Sequence, residues 1–143
     1  MVRRQVKISE REARTTWPGS WLKDSEMVIA VTGGRNYQNA AVVNDTLDRI
    51  HKHTRITLLV HGNCPTGADQ LAAQWAERNG VPHTGSKYSA DWERYGGKAG
   101  PIRNRLMLAR ENPSYLVAFP GNNGTSDCCD AARDIAIRVL RRK

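Results

Sequence analysis

Three short stretches carry residues whose types and spacing suit the holding of a phosphate: Gly33-Gly34-Arg35, Gly62 to Asp69 with Thr66 and Gly67 inside it, and Pro120-Gly121-Asn122-Asn123-Gly124-Thr125. Glycine admits positive φ and lets backbone N–H groups approach an anion, and the first turn of a helix adds free N–H groups and partial positive charge. Arg35 would supply a planar guanidinium, and Thr66 or Thr125 a hydroxyl. The same glycines could serve only to make tight turns. A Gly-x-Gly-x-x-Gly fingerprint and a Gly-x-x-x-x-Gly-Lys-Ser/Thr loop are both absent, which argues against a dehydrogenase of the ordinary kind and a P-loop ATPase.

The elements that must position these loops are legible in the hydrophobic pattern. Met27 to Thr32, Ile56 to His61 and Leu116 to Phe119 are short apolar runs rich in branched side chains, as expected of strands buried on both faces. Each runs directly into one of the three loops. A helix with Ala41, Val42, Leu47 and Ile50 follows the first loop, and a second helix follows the next, ending near Asn79 and Gly80. Val81 to Gly85 reads as a weak edge strand, 86–101 as a polar, Gly-rich loop, and Ile102 to Glu111 as a helix with Ile102, Leu106 and Met107 on one side. A last helix is expected from about Ser126 to Arg133, then an alternating strand from Ile135 to Leu140. Strands separated by helices imply a parallel sheet covered on both faces, with ligands at the strands' C-terminal ends.

The 143 residues carry a net charge of +8, concentrated at the ends. Residues 1–25 contribute +3 and residues 138–143 contribute +4, leaving twelve basic and eleven acidic side chains between them. Sequence-independent attraction to nucleic acid would therefore rest on the two basic tails. Residues 1–25, polar and interrupted by Trp17-Pro18-Gly19-Ser20-Trp21, read as a partly disordered N-terminal extension to a domain spanning 26–143. No apolar run has the length of a membrane span and no secretory signal is evident, so the expected location is cytoplasmic, without membrane association. Cys64, Cys128 and Cys129 lack the spacing of a disulfide framework or a metal site, and no metal is expected.

Val31-Thr32-Gly33-Gly34-Arg35-Asn36-Tyr37, His61-Gly62 with Thr66-Gly67-Ala68-Asp69, Ala90-Asp91-Trp92 through Gly100-Pro101-Ile102-Arg103-Asn104-Arg105, and Phe119-Pro120-Gly121 with Gly124-Thr125 resemble the YspA-type branch of the SLOG superfamily. That superfamily includes the DprA/Smf DNA-processing proteins and the Lonely-guy phosphoribohydrolases. The resemblance covers about residues 27–140. It implies a Rossmann-like three-layer α/β fold with a mainly parallel sheet of about five strands, and a pocket for a nucleotide or ADP-ribose-type ligand. Members of the branch occur in bacteria and their phages, and Lonely-guy relatives commonly dimerise, which leaves a homodimer or a higher homo-oligomer open.

Lonely-guy enzymes place an arginine ahead of a Pro-Gly-Gly-x-Gly-Thr-x-x-Glu motif. In that resemblance Arg105 matches the arginine, Pro120, Gly121, Gly124 and Thr125 match the cradle, Asn122 replaces the second glycine, and Cys128 replaces the glutamate. Loss of that carboxylate favours a binding domain over a hydrolase, since glycosidic cleavage needs a group to assist attacking water. Asp69 could bond ribose hydroxyls or help cap a helix. His61 could bond a phosphate or ribose, or sit satisfied in the core. Trp92 and Tyr95 could stack on a base or plug the core. Three function classes follow: nucleotide-type ligand binding, nucleotide processing by a phosphoribohydrolase, and single-strand DNA binding through the tails.

Overall fold

The computed structural model describes residues 26–143; the expected N-terminal extension at 1–25 lies outside them. Strand β1 (Glu26–Thr32) is followed by helix α1 (Ala40–His53), β2 (Arg55–Val60) and α2 (Gly67–Arg78). A 3-10 turn at Gly85–Tyr88, the short helix α3 (Trp92–Tyr95) and a second 3-10 turn at Gly96–Lys98 lead into α4 (Ala99–Glu111). Strand β3 (Tyr115–Ala118), helix α5 (Asn123–Asp134) and β4 (Arg138–Arg141) complete the order.

All pairings in the sheet are parallel, in the order β2-β1-β3-β4, with Ile29 opposite Leu59 and Val31 opposite Val117. Because side chains alternate across a strand, β1 sends Ile29 and Val31 to one face and Ala30 to the other. The first face is closed by α1 and α2, through Val43, Leu47, Ile50, Ala72 and Trp75. The second is closed by α4 and α5, through Met107, Leu108, Cys128, Cys129 and Ala132. This is the three-layer α/β arrangement, with four strands where the sequence suggests five.

The missing strand has a local cause. Residues 81–85 make a single parallel bridge, His83 to Leu59, in which Leu59 N–H donates to the Pro82 carbonyl and Thr84 N–H to that of Leu59. Pro82 has no N–H with which to continue a ladder. Other boundaries also shift. Helix α4 begins three residues before Ile102, because Pro101 falls in its first turn, where an N–H is not required. Its buried side is Asn104, Met107 and Leu108, whereas Ile102 and Leu106 are exposed. Helix α5 likewise starts at Asn123 rather than near Ser126. Strand β4 is shorter than expected, since Ile135 closes α5 and Ala136 takes a positive φ of 62°.

Candidate functional site

In the order β2-β1-β3-β4 the chain leaves β1 toward α1 on one face and leaves β3 toward α5 on the other. The loops after these strands therefore diverge, and a crevice opens between them at the strands' C-terminal ends. A cavity of about 920 Å³ lies there, a volume in the range that holds small ligands.

The three glycine loops do meet at this cavity, but most of their glycines are crowded by protein. Gly34 N–H donates to the Pro120 carbonyl at 2.8 Å, and Ala68 N–H to the Gly34 carbonyl at 3.2 Å. A Cβ on Gly34 would lie 3.1 Å from the Pro120 oxygen, and one on Gly121 2.6 Å from the Gly34 nitrogen. Gly33 leaves no room beside Ala68 and Phe119, and Gly67, at a φ of +75°, fits against Gly34 and Arg35 behind the cavity wall. A Cβ on Gly62 would run into the Arg103 guanidinium. These glycines let three loops interlock. Gly124 differs, with nothing within 4 Å of where its Cβ would be.

Gly124 belongs to the end of the cavity suited to an anion. Helix α5 starts after Asn122, whose side chain makes no capping bond, and the first backbone bond of the helix is Ser126 N–H to the Asn122 carbonyl at 3.0 Å. The N–H groups of Asn123, Gly124 and Thr125 precede it and have no acceptor among the described residues. The helix dipole makes this a preferred place for negative charge. Arg35 lines the same cavity, exposed, with no ion pair among the described residues. Thr125, largely buried, brings its hydroxyl to the wall.

The adjoining wall is polar and already organised. Arg103, half-buried, donates from Nη1 to the Gly62 carbonyl at 2.6 Å and from Nε to Asn104 Oδ1 at 2.8 Å. Asn104 donates in turn to Asp127 Oδ2 at 3.1 Å. Asp69, buried in the cavity wall, accepts the Cys64 N–H at 3.2 Å. Burial raises its carboxyl above the ordinary value, an effect opposed by that N–H and by the charge of Arg103. Cys128 lies on the floor, 1% exposed, with its thiol pushed up to about 12 by burial despite a hydrogen bond with Thr32. The floor therefore disfavours any anion at position 128.

Several residues singled out from sequence lie elsewhere. Arg105 does not line the cavity: its side chain is 56% exposed and reaches Asp127 Oδ1 at 3.3 Å. The arginine on the cavity wall is Arg103, two residues earlier. Thr66 is exposed at the start of α2, outside the wall. His61 is 1% exposed and faces away: its Nδ1 accepts Asn63 N–H at 3.0 Å, which leaves Nε2–H to donate to His83 Nδ1 at 2.8 Å. His83 then presents its Nε2–H to Glu77 at 3.3 Å. Burial, and then the nearness of His83 and Arg103, lower the His61 pKa to about 4. Trp92 lines the cavity and Tyr95 does not.

Arg103 and Asn104 share a motif with Arg105, and the match to the Lonely-guy arginine points to Arg105 instead. The available signal was helical spacing, since Arg103 lies four residues before buried Met107 and Asn104 four before buried Leu108. Among the described residues no group of three or more His, Cys, Asp or Glu is placed to hold a metal ion, and no helix is long and apolar enough to cross a membrane.

A family model described as YspA, cpYpsA-related SLOG family matches residues 27–95. The chain is also similar to the Gene 61 protein of Mycobacterium phage D29, at 34% identity over 118 residues covering 78% of this chain and 93% of that protein. No solved structure matches the chain significantly.

Proposed function

Because the chain belongs to the YspA- and cpYpsA-related SLOG family, we propose that it binds a nucleotide or NAD-derived small ligand, of the ADP-ribose kind, through phosphate and ribose. One observation carries this reading: the free first turn of α5 at Asn123, Gly124 and Thr125 opens into the cavity beside Arg35, which has no ion pair among the described residues. Helix-end N–H groups with a guanidinium are a recurrent phosphate receptor. The buried Asp69 carboxylate on the adjoining wall is suited to ribose hydroxyls. The test is a thermal-shift and calorimetric panel of AMP, ADP-ribose, NAD and cyclic dinucleotides, with Arg35→Ala as control. Selective stabilisation that the variant loses supports the reading. No shift with any of them at millimolar concentration sinks it.

Hydrolysis is the second reading. Its supporting observation is that Asp69 shares the cavity with Cys128, so a carboxylate is at hand although position 128 itself is hostile to charge. Release of free base from AMP or ADP-ribose, abolished by Asp69→Asn, would establish it. Intact recovery of the ligand after long incubation would leave binding alone.

A further inference from the structure

The described aromatic residues differ sharply in what occupies their faces. Trp75 is 1% exposed, donates its indole N–H to Asp48 at 2.8 Å and meets His51 edge-on. Tyr37 and Phe119 stack on each other at 5.7 Å. Tyr88 is engaged by Lys87 and Glu111, and the Tyr95 ring lies under the Arg94 guanidinium at 5.1 Å. Trp92 has no such partner among the described residues. It is 52% exposed, its indole makes no hydrogen bond or ring contact among the described residues, and it forms part of the cavity wall.

The surrounding chain keeps that ring uncovered. Trp92 opens α3, whose position is fixed by Asp91 Oδ1 accepting the Arg94 N–H at 3.1 Å. The indole's far edge lies against Gly100, where a Cβ would be 3.4 Å from Cη2. Gly96 and Gly97, at the turn between α3 and α4, have nothing within 4 Å of their Cβ positions. Gly100 thus brings no side chain over an aromatic ring that lines the same cavity as the free first turn of α5. Asn36, Asn122 and Asn123 also line the cavity and have side-chain amides without partners among the described residues, so donors and acceptors are available to a polar ring edge.

We infer that Trp92 is the stacking surface for a nucleobase, so that the ligand is a base-bearing nucleotide rather than a sugar phosphate. The inference rests on the reading of the cavity as a phosphate and ribose site. A base-free sugar phosphate would leave the indole exposed to water, whereas a base lying on it removes one face of each ring from solvent. Stacking of one base on an aromatic side chain changes affinity by about tenfold, in a range of roughly 5- to 150-fold.

The experiment compares ribose 5-phosphate with AMP, GMP, CMP and UMP by calorimetry, on the full chain and its Trp92→Ala and Trp92→Phe variants. Circular dichroism serves as the folding control, since a half-exposed ring is dispensable to the core. The wild type is expected to bind the best nucleotide at least about tenfold more tightly than ribose 5-phosphate. Trp92→Ala should remove that advantage while leaving ribose 5-phosphate within twofold, and Trp92→Phe should keep most of it. If nucleotide and sugar phosphate both bind and Trp92→Ala weakens neither, or both equally, the stacking role is overturned while the phosphate reading stands. If neither binds the wild type at millimolar concentration, the phosphate reading fails and the stacking role falls with it.

Discussion

Arg103 Nη1 lies 2.6 Å from the carbonyl oxygen of Gly62, so a charged hydrogen bond ties helix α4 to the loop after β2 along one wall of the cavity. The same Nη1 is 3.4 Å from the Tyr88 carbonyl, and the guanidinium is the cation nearest in effect to buried Asp69. Replacing Arg103 by alanine takes the donor from three acceptors, the Gly62 and Tyr88 carbonyls and Asn104 Oδ1, and leaves Asp69 without its cation, an expected loss of about 2–3 kcal/mol in urea denaturation. Arg105→Ala removes an exposed ion pair and an exposed, long hydrogen bond to the Pro101 carbonyl, and should stay within about 0.5 kcal/mol of wild type. Equal losses from the two substitutions would contradict the placement of Arg103.

Gly124 and Gly121 should respond oppositely to alanine. At Gly124 the methyl meets open space in the first turn of α5, and alanine's helix propensity should add up to about 1 kcal/mol of stability. If the proposed anion site is right, the same methyl intrudes on it, so nucleotide affinity should fall while the melting temperature rises. At Gly121 the methyl collides with Thr125 and the Gly34 backbone, and both stability and binding should drop. A Gly124→Ala protein that binds as wild type does would place the anion elsewhere.

The three cysteines should separate by accessibility. Cys64 is half-buried on the cavity wall, while Cys128 and Cys129 are buried with thiols raised by burial. A chromogenic disulfide reagent is expected to modify one thiol of the native protein quickly and the other two only on unfolding. A saturating nucleotide should slow the fast reaction, whose loss in Cys64→Ser identifies it.

His61 makes folding depend on pH in a defined direction. Its pKa is about 4 in the folded protein against 6.5 when free, chiefly because it is buried. Between these values the unfolded chain binds a proton that the folded one does not, so stability rises with pH. The contribution is complete above the free value and is lost as pH falls toward the folded one, at most about 3 kcal/mol. Urea midpoints of His61→Gln should vary less than those of wild type over this window; parallel curves would mean that His61 is not held neutral.

The strands were legible because burial on both faces demands continuous apolar runs, and Val28 to Val31, Leu58 to Val60 and Leu116 to Ala118 supply them. The meeting of the three loops at one rim followed from parallel pairing. What composition could not convey was the part each glycine plays, because crowding of Gly33, Gly34, Gly62 and Gly121 depends on atoms from distant segments. Nor was the bearing of Arg103 evident, since Ile102 and Leu106 gave the apolar signal yet face solvent. The start of α5 was hidden for a local reason: Asn-Asn-Gly favours turns, yet the helix begins at Asn123.

The interlock of Gly34 with Pro120 and Ala68 joins segments that are remote along the chain but in atomic contact. The rim consequently exists only when β1, α2 and β3 are docked together, and no species in which these three are apart possesses it. A bound ligand would then oppose global unfolding rather than local opening. In hydrogen exchange the effect would reach the slowest amides of all four strands, far from the ligand, by the same increment.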